Sequence, residues 1–144
     1  MPFPKQKSLE ELAAFDRGVL HILLQHKGRA NSVDRWVLVE KVFGEPVPAA
    51  ERNDDHVQDR EIRYSVGRLR EGGHLICDMG NGAGRWIAAD EKEFWNFYSY
   101  YAKPLVSRAN VLRAMKKAAQ EQWPNLLQPS LFDVSDLDIT PMGW

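Results

Sequence analysis

Residues 56–89 constrain the fold most, because the hydrophobic period changes from helix to strand within them. Over 56–71 the apolar residues Ile62, Val66 and Leu69 fall on one helical stripe, with Arg60, Arg63, Tyr64, Gly67 and Arg68 on the sides and back. Gly72-Gly73 predicts a left-handed C-terminal cap. The β-rich runs 74–79 and 85–89 flank a turn reading Gly-Asn-Gly-Ala-Gly over 80–84, which predicts a hairpin. A helix with one buried face must therefore share its core with a short two-stranded sheet.

The flanking sequence supplies the partners. Ser8 and Glu11 form a capping box, and Leu9, Leu12, Phe15, Val19, Ile22 and Leu23 follow at helical spacing until residues 26–28 stop the pattern. Ser32 or Asp34 caps a second helix over 33–43, where Trp36, Val37 and Phe43 recur before Gly44. Residues 44–55 carry two prolines and mixed polar groups, and predict a loop longer than the turn of a tight helix-turn-helix. Downstream, Asp90 and Glu93 cap an aromatic-rich helix that Pro104 is expected to kink or restart, and that Trp123-Pro124 ends.

The order of helix, helix, helix, hairpin, helix corresponds to a winged helix-turn-helix. The run 59–90, DREIRYSVGRLREGGHLICDMGNGAGRWIAAD, resembles the winged-helix proteins of bacteriophages and prophages. In that family D-R-x-I/V-R opens the recognition helix, L-R-x-x-G closes it, and L-I-C precedes a Gly-rich wing and an aromatic second strand. The likeness extends loosely over residues 16–120 and excludes the tail. It implies a mostly α fold with a small β-hairpin wing and a long Pro-kinked C-terminal helix, beyond which the sequence reads as an extended tail. The corresponding divisions are a winged-helix domain at 1–90, a helical extension at 91–123 and an acidic tail at 124–144.

Charge is distributed unevenly. The chain of 144 residues has a net charge of −1, but residues 121–144 hold Glu121, Asp133, Asp136 and Asp138 with no Lys or Arg, which leaves the remainder at +3. Residues 94–120 contain Lys103, Arg108, Arg113, Lys116 and Lys117 and no acid, a stripe suited to phosphates or to a solvated helix face. Neither a membrane-length apolar run nor a signal peptide is present, so a cytoplasmic location is expected. Cys77 is expected to act as a small core hydrophobe, and the four histidines fit no metal spacing with it. No metal or cofactor is expected, and Asp54, Asp55, Asp59 and Glu61 form no recognisable catalytic set, so the chain reads as a non-enzyme.

Double-stranded DNA is the expected ligand. Arg60, Arg63, Tyr64 and Arg68 span roughly 12 Å of helix, Gly67 would admit a close approach, and Asn81 and Arg85 are the wing candidates. The competing reading has Asp59, Glu61 and Glu71 neutralise these arginines on an ordinary solvated helix. The rings between Phe94 and Tyr101 suit core packing or a homodimer through the C-terminal helix better than stacking on single-stranded bases. In the tail, Gln128, Leu131 and Phe132 stand in a segment, Gln-Pro-Ser-Leu-Phe, that resembles the peptide by which bacterial proteins bind the sliding clamp. These features imply a phage-type transcription regulator or replication accessory factor. The alternative is a protein-interaction module that docks a replication or host partner through the aromatic helix and tail.

Overall fold

The computed structural model describes residues 7–80 and 84–125. Helices α1 (Leu9–Leu23), α2 (Arg35–Phe43) and α3 (Val57–Glu71) are followed by strands β1 (Ile76–Cys77) and β2 (Trp86–Ile87) and by α4 (Glu91–Gln122). The molecule is thus mostly helical with a small antiparallel sheet, in which Ile76 pairs with Ile87 and Cys77 with Trp86. No helix among the described residues is long and apolar enough to cross a membrane. The chain divides into two compact units, Met1–Phe97 and Tyr98–Trp144, with α4 beginning in the first and continuing in the second.

Each helix starts where a side chain satisfies otherwise unpaired N–H groups. Ser8 Oγ accepts from the Glu11 N–H while the Glu11 carboxylate accepts from the Ser8 N–H, the reciprocal box read from sequence. Asp34 caps α2 by accepting from the Trp36 and Val37 N–H groups, and so lies outside the helix that the sequence started at Val33. His56 is likewise a cap, its Nδ1 taking the Asp59 N–H at 3.2 Å. Asp90 Oδ1 accepts the Glu93 N–H at the start of α4. Gly73, at φ 94°, closes α3, with the His74 N–H bonded to the Leu69 carbonyl and the Gly73 N–H to that of Arg70.

Of the two outcomes expected at Pro104, a restart does not occur: α4 is a single element through it. Proline removes one N–H from the ladder and crowds the carbonyl of Tyr100, a local cost that this long helix absorbs.

The first unit has a core built on one arc of α3. Val19 and Leu23 of α1, Leu38 and Val39 of α2, and Ile62, Val66 and Leu69 of α3 are buried together with Val33, Val47 and Ile76. The sheet is broader than its two strands. On its other side, β2 exchanges backbone hydrogen bonds with the α1–α2 connection: Ile87 N–H to His26 O, Gly28 N–H to Ile87 O, and a reciprocal pair between Val33 and Arg85. Gly84 makes this possible. A Cβ there would lie 2.2 Å from the Val33 carbonyl oxygen, and its φ of 85° is one that L side chains rarely adopt.

Candidate nucleic-acid interface

α3 buries Asp59, Ile62, Ser65, Val66 and Leu69, and this single arc decides what the opposite arc presents. Arg60, Arg63, Tyr64 and Gly67 share the open side, with Glu71 at its C-terminal end. Tyr64 is 62% exposed. A Cβ on Gly67 would meet nothing within 4 Å, so this part of the helix surface is clear.

The arginines differ sharply in how they are held. Arg60 is loosely placed, its Nη2 4.0 Å from the almost fully exposed Asp55. Arg63 lies with Nε 3.2 Å from Asp59 Oδ2 and donates from Nη2 to the Asp54 carbonyl at 2.7 Å. Arg68 is committed elsewhere: its Nε and Nη2 grip both oxygens of Asp16 on α1 at 2.9 and 2.8 Å. That hydrogen bond holds the Asp16 carboxyl below its usual range and the Arg68 guanidinium above its own.

Of the three acids set against the arginines in the competing reading, only Asp59 meets one of them. It is fully buried, and Arg35 of α2 clamps it through two hydrogen bonds of 2.9 and 2.6 Å, with Arg63 as a third contact. Glu61 instead takes Lys7 at 2.9 Å. Arg35 was not singled out from the sequence. Its i to i+24 pairing with Asp59 leaves no periodic trace, although a buried aspartate on an apolar stripe is itself a sign that some cation must reach it.

Arg85 sits at the base of the hairpin and faces inward. Its Nη1 is buried with no hydrogen-bond partner, and burial pushes the guanidinium below its ordinary pKa. Cys77 is buried as expected, and burial pushes its thiol up to about 11. Trp95, Tyr98, Tyr100 and Tyr101 are exposed on α4. The carboxylates near 54–61 face different neighbours, and no group of three His, Cys, Asp or Glu among the described residues could hold a metal ion. Asn81, and the tail residues Gln128, Leu131 and Phe132, lie outside the described residues. Comparisons with protein-family models, with curated proteins and with solved structures returned no match.

Proposed function

We propose that this chain is a winged helix-turn-helix protein that binds duplex DNA without catalysing a reaction, using the open face of α3. The observation that carries the reading is that face itself: Arg60, Arg63, Tyr64 and an unobstructed Gly67 stand together opposite a well-packed core arc. Donors on such a face can reach base edges and phosphates in a major groove, which is wide enough to admit a helix. Support for the winged arrangement comes from the hairpin after α3 and from the pairing of its second strand with the α1–α2 connection. In this reading Arg68 braces α3 against α1, and contact falls to Arg60, Arg63 and Tyr64, with Asn81 as the wing candidate.

Gly67→Glu tests this directly. Nothing occupies the space into which the new side chain grows, and replacing a mid-helix glycine adds about 0.5–1 kcal/mol of helix stability. The variant should fold at least as well as the wild type yet lose duplex binding in a low-salt anisotropy titration, because a carboxylate would face the phosphates. Equal binding by the two proteins, or no binding by wild type at micromolar concentration, would remove the proposal. Wild-type affinity should also fall steeply with added salt.

A second reading is favoured by the exposed Tyr100, Leu105, Val111, Leu112 and Met115 on α4, an apolar surface of the kind that docks a partner protein or a second copy of the chain. Here the tail segment containing Gln128, Leu131 and Phe132 would contribute to a replication partner such as the sliding clamp.

A further inference from the structure

A recess of about 220 Å³ lies between α2, α3 and the hairpin, lined by Arg35, Arg63 and Arg85, by Asp54 and Asp78, and by the glycines 80 and 84. The charges around it do not balance. Arg35 and Arg63 share Asp59 behind the wall, Arg35 also reaches Asp54 at 3.0 Å, and Arg70 takes Asp78 at 2.9 Å. Arg85 is left over. Among the described residues no carboxylate lies within ion-pair distance of it, and it lines the recess through atoms other than Nη1, which is itself closed to solvent. Four guanidiniums against three carboxylates give the recess one uncompensated positive charge, and the partly buried Arg85, with no ion-pair partner, favours an anion beside it.

We propose that this recess is a binding site for one singly charged phosphoryl oxyanion. A planar carboxylate is satisfied by a single guanidinium fork, as Asp16 is by Arg68. Three guanidiniums arriving from three different elements suit the several oxygens of a tetrahedral group instead. The volume is several times that of one water, so the group enters with part of its hydration retained. Asp54 is the gate. Its side chain is 87% exposed and caps the outer nitrogen of Arg35, so an incoming oxyanion competes with a carboxylate that is free to swing into solvent. The site does not depend on the DNA reading: the same chemistry is offered by a strand phosphodiester and by free dihydrogen phosphate.

The test uses the full chain and inorganic phosphate against sodium chloride at matched ionic strength. Phosphate should raise the unfolding temperature by mass action and shift the Arg85 Nε–Hε resonance. Asp54→Asn should tighten phosphate binding by about fivefold, the scale of one nearby charge in a solvated setting. Arg85→Met, which keeps the packed stem and removes the charge, should abolish the phosphate dependence; should it fail to fold, the wild-type resonance and the Asp54→Asn affinity decide alone. An equal effect of chloride, an unmoved Arg85 signal, or unchanged affinity in Asp54→Asn would each overturn the site. A short duplex added to the phosphate-bound protein identifies the source. Displacement of phosphate assigns the recess to a strand phosphodiester, and coexistence assigns it to a free phosphoryl ligand.

Discussion

Asp16 is the residue through which α1 is tied to α3. It accepts from Arg68 and, at 2.6 Å, from the hydroxyl of Ser65, a buried polar group that would otherwise lack an acceptor inside the core. Because its carboxyl is held below the ordinary aspartate range, chiefly by the Arg68 hydrogen bond, its contribution is complete above that ordinary range and fades as pH falls through the lowered folded pKa. Asp16→Asn should therefore cost about 1–2 kcal/mol at neutral pH, reduced from the fully buried case because Arg68 is partly solvated. The gap from wild type should narrow in denaturant titrations as the buffer is taken from about pH 5 to below pH 4. A gap independent of pH would assign the loss to packing instead. Cys77 supports a second measurement. With its thiol buried and raised to about 11, it should react with an aromatic disulfide reagent at pH 8 only as fast as the protein opens, so the labelling rate should follow added denaturant.

At the scale of elements, the helices were legible because each combines a 3.6-residue apolar period with a cap, and two independent signals agree at Ser8, Asp34, Gly44 and Asp90. The ends are less sharply encoded: the sequence period extends the helices to Val33 and His56, which in the structure lie outside as strand partner and cap. The joining of β2 to the α1–α2 connection was not legible. It is made by backbone groups of His26, Gly28 and Val33, in a stretch whose side chains show no two-residue alternation. The same holds for the ion pairs Asp16–Arg68 and Arg35–Asp59, which depend on helices meeting in space. In the hairpin, the sequence marks Gly84 only as a turn glycine, whereas its larger role is to let β2 approach Val33. Gly84→Ala would set a methyl against the Val33 carbonyl and force an unfavourable φ, so it should cost at least about 2 kcal/mol, seen as a lowered unfolding midpoint. An Ala at the open Gly67 should instead be neutral or stabilising, which makes the pair a control for each other.

For the whole molecule, the distribution of charge matters more than its sum. The chain carries −1, yet Asp133, Asp136 and Asp138 place −3 within residues 126–144, so the chain without that segment would carry +2. Nucleic-acid affinity follows the local field and the number of phosphates neutralised, and acidic groups on the same chain lower that field within a Debye length of about 8–10 Å. If α3 binds duplex as proposed, a chain ending at Asn125 should bind more tightly than the full chain at low salt. The two affinities should converge as salt is raised, because the difference is electrostatic and is screened with it. Anisotropy titrations of both chains against one duplex over a salt series measure this. A difference that persists at high salt would show that residues 126–144 act through contacts rather than charge, and would move the weight of the function toward the protein-docking reading.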